Sequence, residues 1–326
     1  MVLYTYGVMP VTKMTMRLIM INQQTLEQLV AEHKAIAATG TVASYIPKLK
    51  EKNPSDLGIY VFTENGEEFG AGDYDVKFTI QSISKIFVFA LAIMDNGERE
   101  VFKLIGVEPT GDSFNSIANL ELKDTHKPYN PMINAGAILA TSMIHGNNKK
   151  EKFNRILDLI RACCGNTSLE VNESVYHSEK DTGDRNRALA YFIKSYGLIE
   201  DEVDNVMDTY FKQCSIEVTC RDIAHAAWII SNNGVNPRTG QRVLSQRICS
   251  ILKTVMFTCG LYDASGSFAL DVGMPSKSGV GGGILSTTNT GIGIGVYGPA
   301  LDQKGNSVAG ASMLKAISRD NGLSIF

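Results

Sequence analysis

Residues 76–97 read V-K-F-T-I-Q-S-I-S-K-I-F-V-F-A-L-A-I-M-D-N-G. Val76 to Ile80 carries β-branched and aromatic residues and reads as a strand. From Ser82 to about Asp95 the run is almost wholly apolar, which points to a helix buried on all sides. Asn96-Gly97 closes it. Ser82 and Lys85 stand at i and i+3, on one helix face. A serine hydroxyl is a poor nucleophile until a nearby base takes its proton. A lysine amine is that base only when its pKa falls, and burial and the positive end of a helix both disfavour the ammonium form.

Working outward, residues 23–38 have helical spacing, with Leu26, Leu29, Val30 and His33 on one stripe and Gly40 near the end. Ala43 to Pro47 reads as a loop. Leu57–Thr63 and Glu67–Ala71 read as strands around an Asn65-Gly66 hairpin turn. From about 99 to 255 most segments look helical, with Glu151–Cys164 (stopped by Gly165) and Cys220–Ile230 the clearest. Strands return at Ser267–Val272, Gly283–Thr287 and Ile292–Tyr297, and a last helix is expected near 307–320. Strands at both ends and helices between predict an α+β fold with an inserted helical domain. The expected division is an extension at 1–22, a sheet-bearing domain from 23–98 with 256–326, and a helical domain at 99–255.

The chain has 326 residues and a net charge of −3, which argues against the clustered basic surface of a nucleic-acid binder. No stretch is apolar for the roughly 18 residues a membrane span needs. Lys13 and Arg17 follow the apolar part of the N-terminus rather than precede it, so no secretory signal is expected. The six cysteines include no C-x-x-C pair and the five histidines are scattered, which leaves a zinc or haem site unsupported. Free, buried thiols in a reducing cytoplasm account for the cysteines.

The S-x-x-K spacing alone proves little, because it recurs at Ser250/Lys253 and Ser312/Lys315. An exposed helix lysine beside a capping serine is the bland reading of each. Only Ser82/Lys85 follows a strand and opens a buried helix. It also has a distant partner in Lys277-Ser278-Gly279. S-x-x-K with K-[ST]-G marks the serine β-lactamase and penicillin-binding group. Such a triplet belongs on an edge strand beside the nucleophile, where backbone N–H groups hold a developing oxyanion. The third element of that group, S-D-N, is missing; Ser231-Asn232-Asn233 reads as a helix end. Gly293-Ile294-Gly295-Val296-Tyr297-Gly298 matches G-x-G-x-x-G. It lies inside a strand with Pro299 after it, so close packing in a sheet is expected rather than a dinucleotide site.

Longer strings are more specific. They are Gln81-Ser82-x-x-Lys85, Asn130-Pro131-Met132-Ile133-Asn134-Ala135-Gly136-Ala137-Ile138, Ser178-Glu179 with Thr182-Gly183-Asp184-Arg185-Asn186-Arg187-Ala188-Leu189-Ala190, Tyr210-Phe211-x-x-Cys214-Ser215, Cys259-Gly260-Leu261-Tyr262-Asp263, and Lys277-Ser278-Gly279-Val280-Gly281-Gly282-Gly283. In this order they resemble the bacterial serine-dependent glutaminases of the β-lactamase-like superfamily, over roughly residues 23–318. The resemblance implies a β-lactamase/DD-peptidase-like α+β fold: a mainly antiparallel sheet flanked by helices, an all-helical domain beside it, and an active site between them. It implies hydrolysis of L-glutamine to glutamate and ammonia, with Ser82 as nucleophile and Lys85 as base. Substrate contacts are implied for Tyr45, Gln81, Ser82, Asn134, Glu179, Asn186, Tyr210, Tyr262 and Val280, and an oxyanion hole for the N–H groups of Ser82 and Val280. Glu179 suits the substrate ammonium, since a charge-assisted hydrogen bond is stronger than a neutral one. Asn134, Asn186 and Tyr45 suit the α-amino and α-carboxylate groups without a fixed division among them. Tyr262 or Lys85 is implied as proton donor to ammonia, and Tyr210 or Tyr262 near the hydrolytic water. No metal or organic cofactor is implied; a homodimer or homotetramer in the cytoplasm is.

Two other readings compete. A penicillin-recognising enzyme is disfavoured by the missing S-D-N and export signal. A non-catalytic glutamine-binding module is disfavoured by the intact Ser82/Lys85 pair.

Overall fold

The computed structural model describes residues 21–121 and 126–326, so the expected extension lies outside the described residues as far as residue 20. Five antiparallel strands form the main sheet. They are β1 (Gly58–Phe62), β2 (Glu68–Gly72), β3 (Ser276–Ser278), β4 (Gly283–Thr287) and β5 (Gly293–Tyr297), in the spatial order β2-β1-β5-β4-β3. The Asn65-Gly66 turn joins β1 to β2, with Gly66 in the left-handed region at φ 82°. Strand β1 then pairs with β5, Val61 opposite Ile294, so the two ends of the chain share one sheet.

Alternation along the strands sends their side chains to two cores. On one face Ile59, Val61, Ile284, Ile294 and Val296 pack with Leu26 and Val30 of helix α1 (Gln23–His33), and with Met313, Leu314 and Ile317 of a helix over Val308–Asn321. On the other face Tyr60, Phe62, Leu285 and Tyr297 join a larger cluster that runs through the helices of the middle of the chain. That face carries a helix over Cys220–Ser231, which lies across β5. The glycines of the G-x-G-x-x-G string explain how it fits. A Cβ at Gly293 would come 2.2 Å from the Trp228 backbone N, and one at Gly295 would come 2.2 Å from the Cys220 carbonyl oxygen. The string is a packing groove, as its place inside a strand implies.

Helix α2 (Ser84–Asn96) is the apolar run of residues 82–95, and every residue from Ser84 to Ile93 is buried. It packs against α3 (Asn134–Ser142) and α4 (Lys149–Cys164). Helix α4 begins two residues before the expected Glu151, because the Asn148 side chain caps it by accepting from the Glu151 N–H. Gly165 ends it in the left-handed conformation. The remaining helices around the site are α5 (Glu173–Thr182), α6 (Asp184–Ser195) and α7 (Val203–Cys214). No helix among the described residues is long and apolar enough to cross a membrane.

Two expected strands differ. Ser267–Val272 is not a strand; a short helix covers Ser265–Asp271. The alternation of Phe268, Leu270 and Val272 suggested a period of two, but Leu270 is 89% exposed. The Ser265 hydroxyl donates to the Tyr262 carbonyl and accepts from the Leu261 N–H, which turns the chain into a helical start. The strand expected over Val76–Ile80 shrinks to Phe78–Thr79 and pairs with Glu217–Val218, away from the main sheet.

Candidate active site

A pocket of about 260 Å³ opens beside the start of α2, lined by Tyr45, Gln81, Ser82, Asn134, Glu179, Asn186, Tyr210 and Val280. These are eight of the ten residues singled out from sequence. The other two, Lys85 and Tyr262, reach it from behind through hydrogen bonds.

Ser82 sits in a short 3₁₀ turn, Gln81–Ile83, just ahead of α2. Gln81 is left-handed at φ 48°, a costly state for a residue with a side chain. The Ser84 hydroxyl bonds the Gln81 carbonyl at 2.7 Å and braces the turn. Against it runs the end of β3, the outer strand of the sheet. A Cβ at Gly279 would stand 2.8 Å from the Ile80 carbonyl oxygen, and one at Gly281 would stand 2.4 Å from that of Thr79. Two chains this close need glycine, and the approach brings Val280 to the pocket wall opposite Ser82.

Lys85 lies 1% exposed beneath the pocket floor. Its amine donates to the Asn134 side-chain carbonyl at 2.7 Å and to the Met132 backbone carbonyl at 3.0 Å. Asn134 in turn donates to Asn186 at 2.8 Å, so a polar chain runs from α2 through α3 to α6. The Asn130 string builds this chain. The Asn130 side chain accepts from the Met132 and Ile133 N–H groups and seats the start of α3. Burial pushes the Lys85 amine down to about 8, despite the opposing pull of Cys214 and Glu179.

Glu179 stands on α5, 6% exposed, with the Gln81 amide at 3.5 Å. Burial raises its carboxyl to about 8, against the lowering effects of Gln81 and Lys85. Gly183 separates α5 from α6, and a Cβ there would fall 2.3 Å from the Phe211 ring. The Thr182-Gly183-Asp184 string therefore rests on the Tyr210-Phe211 string, which sets Glu179, Asn186 and Tyr210 around one space.

The tyrosines share one electrostatic bias. Tyr262 contacts Ser82 and donates to the Ser278 carbonyl at 3.3 Å. Burial raises its phenol to about 12. Tyr210 is buried and its phenol is raised by burial, with Cys214 and Glu179 adding to the effect. Tyr45 is 55% exposed as a residue, yet its hydroxyl end is crowded at the pocket and raised by burial, then by Tyr262 and Glu179. All three phenols hold their protons near neutral pH.

Phe114 and Arg185 also line the pocket, and the motifs did not single them out. The Phe114 ring lies 4.7 Å from that of Tyr262, and the Phe114 carbonyl accepts from the Asn134 N–H. Arg185 donates to the Asn115 carbonyl at 2.9 Å. Arg185 lies within one of the quoted strings; Phe114 carries no local signal. The other two S-x-x-K pairs lie in helices at the surface side, Lys315 paired with Asp271 and Lys253 near Asn289. All six cysteines are free and buried.

An antiparallel sheet backed by helices, with a polar pocket at its edge strand and a buried lysine under an S-x-x-K serine, defines an α+β hydrolase of the β-lactamase-like class. The comparisons narrow this. The glutaminase family model matches residues 40–326. The chain is 55% identical over 301 residues to glutaminase 2 of Clostridium perfringens, covering 92% of this chain and 99% of that one. It is 56% identical over 304 residues to the glutaminase of Clostridium tetani, covering 93% and 99%. A crystal structure of a Bacillus glutaminase in 4.3 M NaCl superposes with a TM-score of 0.87 at 39% identity, covering 93% of this chain and 99% of that one. The covalent complex of Bacillus subtilis glutaminase with 5-oxo-L-norleucine, formed from 6-diazo-5-oxo-L-norleucine, superposes with a TM-score of 0.85 at 38% identity over 93% and 99%. The chain belongs to the glutaminase family. It is an amidohydrolase that acts on L-glutamine.

Proposed function

We propose that this chain hydrolyses the side-chain amide of L-glutamine through an acyl-enzyme on Ser82. One observation carries the reading: the Ser82 turn opens into a pocket whose polar lining includes Glu179, Asn134 and Asn186, while the amine of Lys85 lies buried beneath it and bonds Asn134. The substrate ammonium faces Glu179, and its arrival favours the ionised carboxylate. The α-carboxylate meets neutral donors among Asn134, Asn186 and Tyr45.

Neutral Lys85 takes the Ser82 proton, and Oγ attacks the amide carbon. The negative oxygen is held by the N–H groups of Ser82 and Val280. The C–N bond breaks as Tyr262 gives its phenol proton to the departing nitrogen, and the Lys85 ammonium restores that proton. Ammonia leaves and the γ-glutamyl ester remains. Water then adds to the ester carbonyl, giving its proton to Lys85. The Ser82–carbon bond breaks, the oxygen regains its proton, and glutamate leaves. Tyr210 stands in the wall where that water enters.

Free buried thiols suit a reducing cytoplasm, and the resemblance suits a homodimer or homotetramer; both belong to this reading. So does the division into a sheet-bearing part, 23–98 with 256–326, and a helical part, 99–255.

The test is ammonia release from glutamine and asparagine side by side for the parent, Ser82→Ala and Lys85→Ala. Each variant is expected to lose at least about 10³-fold in kcat while keeping its circular dichroism. Near-normal turnover by Lys85→Ala removes it as base. Acylation by labelled penicillin without ammonia release favours a penicillin-recognising enzyme, and glutamine binding without turnover by the parent favours a binding module.

A further inference from the structure

Lys277 is wholly buried, at 0% exposure, and the mechanism above does not use it. A lysine this deep is rare unless its polar end is fully satisfied. Its amine donates to the Gly260 carbonyl at 2.8 Å and to the Ser278 carbonyl at 2.7 Å. It also lies over the face of the Tyr262 ring, 4.3 Å from the centroid. Two carbonyl oxygens and one ring face occupy the amine, and none of them belongs to the substrate pocket lining.

Each of those partners bears on Tyr262. Gly260 is two residues before it. Ser278 offers the carbonyl that also accepts from the Tyr262 hydroxyl at 3.3 Å. The ring is Tyr262 itself. The turn needs holding, because Tyr262 is left-handed at φ 56°, a conformation that a residue with a side chain adopts only when its surroundings impose it. Gly260 makes the hold possible: a Cβ there would fall 1.8 Å from the Ser276 carbonyl oxygen, so only glycine lets the turn press against β3. The Ser278 N–H closes the seam on the Gly260 carbonyl at 3.3 Å.

We propose that Lys277 is a positioning residue for the acyl-transfer step, clasping the Gly260–Tyr262 turn to β3 so that the Tyr262 hydroxyl is held against Ser82. It acts through Tyr262 and touches no substrate. Burial, with Lys85 a second cause, moves its amine well below the usual lysine range. That bias keeps a second positive charge away from Lys85 without loosening the two carbonyl bonds, which a neutral amine also makes. The proposal rests on Tyr262 acting as proton donor.

The experiment is a double-mutant cycle in steady-state glutamine hydrolysis with Lys277→Met, Tyr262→Phe and the pair. Lys277→Met is expected to lower kcat at least about 10-fold with KM changed less than about 2-fold, the signature of an interaction lost only in the transition state. In the Tyr262→Phe background the same change is expected to cost nothing further. Additive losses, a pure KM effect, or an unchanged kcat each overturn the proposal. If Tyr262→Phe alone keeps full kcat, the reading of Tyr262 as donor fails instead. Circular dichroism and a thermal melt accompany each variant. Lys277→Leu, which likewise removes both donated bonds, replaces Lys277→Met should the latter not fold, and the same additive or null outcome overturns the proposal.

Discussion

Lys85 and Glu179 carry the main electrostatic consequences, since burial moves both to about 8 from opposite directions. The proposed mechanism needs Lys85 neutral and Glu179 ionised, and both states grow as pH rises through that value. We therefore expect kcat/KM to climb with pH and level off above about 8. A pH–rate series from about pH 6 to about pH 9.5 checks it, and a flat profile contradicts it. Glu179 also bears on stability. Its folded pKa lies above the ordinary 4.5, so the folded state holds the proton longer, and stability is lost as pH rises from about 4.5 through about 8. Glu179→Gln removes that loss. The variant is expected to melt higher than the parent at alkaline pH while binding glutamine at least about 10-fold more weakly, as befits a lost charge-assisted bond. Calorimetry and titration of the Ser82→Ala background separate the two effects.

Glycines decide how the elements meet, and two of them should respond differently. Gly183 joins α5 to α6 against the Phe211 ring, so Gly183→Ala pushes Glu179 and Asn186 off their places. A rise in KM of about 10-fold is expected, together with an overpacking cost of about 1–3 kcal/mol. Gly295 lies in the sheet under the helix of residues 220–231, away from the pocket lining. Gly295→Ala is expected to cost about 1–3 kcal/mol or more in denaturant unfolding with KM unchanged. If Gly295→Ala shifts KM and Gly183→Ala does not, the assignment of these contacts is wrong.

At the scale of the whole molecule, the two cores meet at the sheet, and the pocket lies where the edge strand faces the middle helices. The helix of residues 220–231 falls inside the span assigned to the helical part yet packs on the sheet, so it ties the proposed parts together. All six thiols sit inside this packing, and burial raises the pKa of each above the usual thiol range, which suppresses the thiolate. Thiolate is the reactive form. A colorimetric thiol reagent is accordingly expected to leave the native protein nearly unlabelled and to react with six groups once it is unfolded. Rapid labelling of a native thiol would place that cysteine at the surface.

The apolar run after Ser82, the hairpin at Asn65-Gly66, the helix stopped by Gly165 and the glycines of β5 were all legible in the sequence, because each is fixed by local chemistry: burial pattern, turn conformation, helix stop and close packing; the Asn148 cap that starts that helix early was not read. The resemblance carried by the long strings pointed to ten residues, and eight of them line one pocket. Ser267–Val272 misled because alternation over so few residues is shared by a strand and by a short helix with one exposed leucine. Phe114 stayed hidden because its role comes from a ring on a segment far along the chain. The sequence could pair Ser82 with Lys277-Ser278-Gly279 only as a motif. The tertiary structure alone decided that the Lys277 amine turns away from the pocket to Tyr262, and which carbonyls hold the Lys85 amine. Those properties depend on which distant groups exclude solvent and offer carbonyls, and no local pattern of residues specifies that.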